Sequence, residues 1–113
     1  MRILITGGSG MLGGELNKSL STANHEILTL FNKNRGNTSL FNSEQLDFLD
    51  TEKIKKIFLD FQPEIVLHTG CISTPADADN LNPKLVNQIN VKTTSFIAEL
   101  CKLYNTKLIC IKH

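Results

Sequence analysis

The 113 residues fit a single domain with one sizeable core. With 41% apolar residues, 20% charged residues and a net charge of +1, the chain is neither a disordered tail, a collagen-like repeat nor a strongly basic nucleic-acid binder. No apolar run approaches the roughly 18 residues of a membrane-spanning helix, and the opening Met1–Thr6 is too short for a signal-peptide core. Cys71, Cys101 and Cys110 are odd in number and none has C-x-x-C spacing, so they read as reduced thiols of a cytoplasmic protein, packed as small apolar residues.

Strand and helix patterns alternate along the chain. Arg2 to Thr6 is an aliphatic run suited to a strand buried on both faces, and it stops at Gly7-Gly8-Ser9-Gly10. From Met11 to about Ala23 the period changes: Leu12, Leu16 and Leu20 recur every four residues, with Glu15, Asn17 and Lys18 between them, which predicts an amphipathic helix. Ile27 to Phe31 reads as a second strand, and the polar stretch Asn32 to Ser43, with Gly36, as a loop. Gln45 to Phe48 predicts a brief third strand. Asp50 then has the character of an N-cap for a helix running to about Phe61, with Ile54, Ile57, Phe58 and Phe61 as its buried stripe.

Pro63 resets the chain before a fourth strand, Ile65 to Leu67. A loop from Gly70 to Leu81 leads to Asn82, a candidate cap, and Pro83, at a first helical position where a missing N–H costs nothing. Leu85, Ile89, Phe96, Leu100 and Tyr104 fall near one face of the long helix that follows. Asn105 suits its left-handed end, and Leu108 to Ile111 gives a fifth strand. Short apolar strands joined by helical crossovers predict a doubly wound parallel α/β sheet of about five strands in the order 3-2-1-4-5.

The most informative segment is Thr6-Gly7-Gly8-Ser9-Gly10-Met11-Leu12-Gly13-Gly14, set between the first strand and first helix. It satisfies G-x-x-G-x-x-G through Gly7, Gly10 and Gly13. One glycine is needed to turn out of the strand, one to admit a pyrophosphate to the backbone, and one to let helix and strand pack closely. The helix N-terminus then offers N–H groups and partial positive charge to an anion. A bare strand-to-helix turn is the ligand-free alternative. No Gly-Lys-Ser/Thr is present, which argues against a triphosphatase loop and for a dinucleotide in a Rossmann-like domain.

An NAD site usually places an acid about 20 residues past the glycines, on the ribose hydroxyls. Here the stretch reads Leu30-Phe31-Asn32-Lys33-Asn34-Arg35, without an acid. Lys33 and Arg35 suit a 2′-phosphate, favouring NADP(H) over NAD(H); the alternative is a pair of solvated loop charges.

The glycine turn, Leu46-Asp47-Phe48-Leu49-Asp50, Phe61-Gln62-Pro63-Glu64-Ile65-Val66-Leu67-His68, Asn82-Pro83 and Asn90-Val91 together resemble the extended short-chain dehydrogenases. Within them the chain is similar to dTDP-4-dehydrorhamnose reductase and to its relative, the regulatory β subunit of methionine adenosyltransferase. The resemblance runs from Arg2 to about Ile111. It implies that Gly7, Ser9, Gly10, Met11, Leu12 and Gly13 wrap the pyrophosphate and that Lys33 and Arg35 lie near the 2′-phosphate. It places Asp47, with Phe48, near the adenine amino group, although Asp also caps strand ends. His68, Thr69 and Gly70 would lie along the ribose and nicotinamide half, unless His68 is a satisfied structural histidine. Asn90 matches an asparagine on the long helix that holds the site together, or braces a loop carbonyl. Ser73 to Asp79 would face the sugar nucleotide.

The family's fifth strand leads to a catalytic Ser or Thr and a Tyr-x-x-x-Lys helix, in which tyrosine moves the proton and lysine lowers its pKa. Here Ile109-Cys110-Ile111-Lys112-His113 closes the sequence, and the only tyrosine, Tyr104, has Leu108 four positions on. Three expectations follow: the NADP(H)-binding portion of a sugar-nucleotide reductase whose catalytic and substrate-binding region is absent; a non-catalytic nucleotide-binding or regulatory module; or a residual folded fragment. No nucleic-acid or membrane partner is expected. Exposure of the fifth strand's edge predicts homo-oligomerisation, or docking of a C-terminal fragment that would complete a sugar-nucleotide site.

Overall fold

The computed structural model of the chain describes residues 1–69 and 83–111. Five parallel strands form one sheet: β1 (Arg2–Thr6), β2 (Glu26–Phe31), β3 (Ser43–Gln45), β4 (Ile65–His68) and β5 (Lys107–Cys110). Their spatial order is β3-β2-β1-β4-β5, the expected one. β1 is central, with Ile3 opposite Ile27 of β2 on one side and Ile65 of β4 on the other. Among the described residues three α-helices lie in the crossovers: α1 (Met11–Thr22), α2 (Thr51–Phe61) and α3 (Pro83–Leu103).

Successive strand residues face opposite sides, and this alternation divides the core in two. Ile3, Ile5, Ile27 and Leu67 point to the face covered by Leu16 and Leu20 of α1. Leu4, Leu28, Leu30 and Val66 point to the other, where Ile54, Ile57 and Phe58 of α2 meet Ile97, Leu100 and Cys101 of α3. Each such side chain contributes roughly 1.5–3 kcal/mol by leaving water. Among the described residues the α2–α3 side holds more of them.

Capping chemistry sets the helix ends. Asp50 accepts a hydrogen bond from Lys53 N at 3.1 Å and so caps α2. Left-handed Gln62 (φ 51°) ends α2, and Asn105 (φ 55°) stands just beyond α3 as expected. The Asn82 cap lies outside the described residues.

Some details depart from the sequence reading. The third strand is Ser43–Gln45, earlier than Gln45–Phe48, because Leu46 drops into the core and Asp47 turns the chain. Asp47 Oδ1 accepts from Leu49 N at 2.9 Å, and its carbonyl accepts from Asp50 N at 2.9 Å. The loop after β2 contains a short 3-10 turn, Thr38–Leu40. On α3 the buried face passes through Thr93, Ile97, Leu100 and Cys101; Phe96 is half-buried and Tyr104 is exposed, its ring stacked on Phe58. Leu85 and Ile89 have side chains outside the described set. Cys101 is buried as expected, whereas Cys110 is exposed on the edge strand; both are free thiols. Cys71 is not among the described residues. No helix among those described is long and apolar enough to cross a membrane.

Candidate nucleotide-binding turn

The C-terminal ends of the strands meet at the glycine turn. Gly7 leaves β1 with φ 66°, a left-handed conformation that favours glycine. A Cβ on Gly13 would overlap Gly7 O and stand 2.8 Å from Gly8 Cα, so the bare backbone here lets α1 press onto the strand end. Gly8 N donates to Leu30 O at 2.7 Å, and a Cβ on Gly8 would overlap Thr29 Oγ1. Gly10 differs from both. Its backbone is extended (φ −73°, ψ 175°), and a Cβ there would meet only Gly7 O, at 3.4 Å. The protein itself leaves room at Gly10, and the absent side chain opens the turn toward solvent.

The N-terminus of α1 is correspondingly bare. Gly10, its cap, supplies no side-chain oxygen, and its first turn has no acidic residue. α2 shows the opposite arrangement, with Asp50 capping and Glu52 in the first turn. A helix start left without its own anion suits a bound one.

Beneath the turn lies Asn17, read from sequence as part of the polar face of α1 but fully buried. Its Nδ2 donates to Gly8 O at 3.0 Å and to Asn37 Oδ1 at 2.9 Å, and Asn37 Nδ2 donates in turn to Gly14 O at 3.0 Å. The signal for Asn17 was its spacing: one turn past Gly13, it shares the face that Gly13 brings against the strand. Gly36, at φ 54°, packs on the same turn, and a Cβ there would stand 2.7 Å from Ser9 O.

The remaining predicted residues surround this centre. Lys33 and Arg35 are exposed beyond β2, with the Arg35 guanidinium carbon 5.4 Å from the Phe31 ring centroid. Neither enters an ion pair among the described residues. Ser9 and Leu12 are half-buried, and Met11 is exposed at the helix start. Asp47 is exposed at the end of β3, while Phe48 reaches back to the His68 ring at 5.9 Å between centroids.

His68, 2% exposed, is held between two hydroxyls: Thr6 Oγ1 at 2.7 Å from Nδ1 and Thr94 Oγ1 at 3.1 Å from Nε2. Burial lowers its pKa below the ordinary histidine value, which favours the neutral ring. Thr69 N donates to Thr6 Oγ1 at 3.0 Å, and Thr69 Oγ1 donates to Thr6 O at 2.6 Å. This pair therefore ties the ends of β1 and β4 together behind the glycine turn. Asn90 is half-buried on α3, one turn before Thr94. Gly70 and Ser73 to Asp79 lie outside the described residues. No cluster of three metal-ligating side chains occurs among those described.

The site thus offers a turn open at Gly10, an uncapped helix start and two cations on the adjoining loop, an arrangement that fits a dinucleotide's pyrophosphate and one of its ribose ends. Sheet order, crossovers and turn define a Rossmann-like domain of the extended short-chain dehydrogenase class. The chain belongs to the RmlD substrate binding domain family, whose profile matches residues 1–112. It is 30% identical over 99 residues to the bovine (Bos taurus) methionine adenosyltransferase 2 subunit beta, covering 87% of this chain and 28% of that protein. It is 26% identical over 115 residues to the dTDP-glucose 4,6-dehydratase of Salmonella typhimurium, covering 92% of this chain and 32% of that one. Among solved structures, the Thermus thermophilus UDP-glucose 4-epimerase in complex with NAD superposes with a TM-score of 0.80 at 26% identity, over 96% of this chain and 36% of the epimerase. The chain spans about a third or less of the length of these relatives.

Proposed function

We propose that this chain binds a nicotinamide dinucleotide, NADP(H) in preference to NAD(H), as the cofactor-holding layer of a sugar-nucleotide oxidoreductase resembling dTDP-4-dehydrorhamnose reductase. The observation that carries the reading is the opening at Gly10, where a side chain would meet almost no protein and would instead fill the mouth of the turn. Backbone N–H groups of the Gly7–Gly13 turn would hold the pyrophosphate, with Lys33 and Arg35 at the adenosine 2′-phosphate and Asp47 near the adenine. His68 and Thr69 fix the strand ends on which the ribose and nicotinamide half would rest. When bound, the nicotinamide supplies the hydride that reduces a keto sugar. Tyr104 is not placed to move the accompanying proton, being followed four positions on by Leu108 and stacked on Phe58 at the far end of α3.

Thermal melts with each cofactor test this. A ligand at 100 times its Kd stabilises the folded state by about 2.7 kcal/mol, a shift on the order of 10 °C for a domain this small. NADPH is expected to raise the Tm more than NADH, and exchange of both Lys33 and Arg35 for Ala to erase the difference. No shift with either cofactor would refute dinucleotide binding; equal shifts would refute the 2′-phosphate preference alone. A second reading, a non-catalytic subunit, is supported by the 30% identity to the methionine adenosyltransferase β subunit. Co-elution with the catalytic chain of that enzyme would favour it.

A further inference from the structure

We infer that Asn37, through Asn17, fastens the loop after β2 to the glycine turn, and that this fastening sets how the chain discriminates between dinucleotides at their adenosine ribose. The inference rests on the dinucleotide reading above. In doubly wound folds the glycine turn meets the pyrophosphate, while the end of β2 meets the adenosine ribose. Discrimination at the 2′ position therefore depends on how rigidly these two segments are held relative to each other.

The Gly8 N–Leu30 O bond, at 2.7 Å, joins the turn to β2 itself, and three further contacts hold the loop beyond it, where Lys33 and Arg35 lie. Asn17 Nδ2 bridges Gly8 O and Asn37 Oδ1, and Asn37 Nδ2 reaches Gly14 O at 3.0 Å, so one amide pair joins both sides of the turn to the loop. Gly36 lies on Ser9, close enough that a Cβ would stand 2.7 Å from Ser9 O. The cation-bearing segment is fixed from the other side by Thr38, whose N–H and hydroxyl both donate to Arg35 O, at 2.9 and 2.5 Å. The backbone of Arg35 is thereby linked, through Thr38, Asn37 and Asn17, to the backbone of Gly8. Asn17 is fully buried, and its two donor bonds both run to this junction, so its position is fixed by the network. Asn37 and Asn17 touch no ligand in this scheme; they are positioning residues.

The experiment measures Kd for NADPH and NADH by calorimetry in the 113-residue chain and in Asn37→Ala, with Tm recorded for both. Whichever cofactor the unaltered chain prefers, Asn37→Ala is expected to move the ratio of the two Kd values toward one by about fivefold, the order of one net hydrogen bond. Asn37→Ser, small and neutral, serves if Asn37→Ala does not fold, and the same change in ratio is expected of it. Gly36→Ala, which disturbs the other contact point, is expected to narrow the ratio as well. A Tm decrease with an unchanged ratio would overturn the inference and leave the dinucleotide reading standing, as would an unaltered chain that binds both cofactors equally. Absence of binding to either by the unaltered chain would overturn both.

Discussion

At the scale of single residues, the glycine turn separates positions the fold requires from the position a ligand would require. Gly13→Ala places a methyl onto Gly7 O and Gly8 Cα, backbone atoms that cannot swing aside. A loss of roughly 1–3 kcal/mol is expected, as for overpacked interiors, read as a lowered denaturation midpoint. Gly10→Ala meets only one atom, at 3.4 Å, in a backbone conformation open to alanine. It is expected to leave the midpoint within about 0.5 kcal/mol, as for surface substitutions, while abolishing the cofactor-induced Tm shift. Equal damage from both would mean that the opening at Gly10 has no ligand to serve.

His68 gives a second prediction at this scale. Burial depresses its pKa, so the folded state binds fewer protons than the unfolded one below the unfolded value of about 6.5. Its contribution is intact above that pH and is lost progressively as pH falls toward the depressed folded value. Denaturant titrations between pH 7 and 5 should show stability falling on acidification, with a shallower slope in His68→Gln. Parallel slopes would show that His68 does not titrate on unfolding.

Among the helices and strands, local signals were legible where side chain and backbone conspire in a short window. Asp50 before an apolar stripe and Asn105 after one marked helix ends that the structure reproduces. Asp50→Ala is expected to cost about 1 kcal/mol, a Tm decrease of roughly 4–8 °C, with the NADPH-induced shift preserved. A loss of that shift would connect α2 to the binding turn in a way its position does not suggest. Legibility failed where burial comes from distant neighbours. Asn17 carries a polar side chain in a helix and so reads as solvated, yet the approach of Gly13 to β1 and the return of Asn37 enclose it. β3 was misplaced because its Glu44 and Gln45 are exposed on an edge and show no apolar alternation, whereas Leu46 and Phe48 owe their burial to the core beyond the strand. Gly36 looked like loop punctuation; only the fold brings Ser9 against it.

For the molecule as a whole, coverage of the sheet by the described residues is uneven. The face packed by α2 and α3 is closed over β4 and β5, where Leu108 joins the core. On the opposite face α1 packs near β1 and β2, leaving Ile65 half-buried and Ile109 40% exposed. For the 113-residue chain we propose self-association through the β5 edge, since an edge strand with apolar side chains is a template for pairing. Sedimentation velocity across the micromolar range is expected to show growth of a dimer, suppressed by Ile109→Lys. A monodisperse monomer throughout would end that proposal.

The central place of β1 also bears on the route to this structure. β1 is the earliest strand in the chain, yet its pairing with β4 joins residues such as Thr6 and His68, 62 positions apart. Ordering that much chain precedes any gain from the contact, which slows the search relative to structures built from near neighbours. During synthesis Ile3, Leu4 and Ile5 leave the ribosome long before β4 exists to flank them. That interval leaves the apolar side chains of β1 without the β4 neighbours that later help bury them.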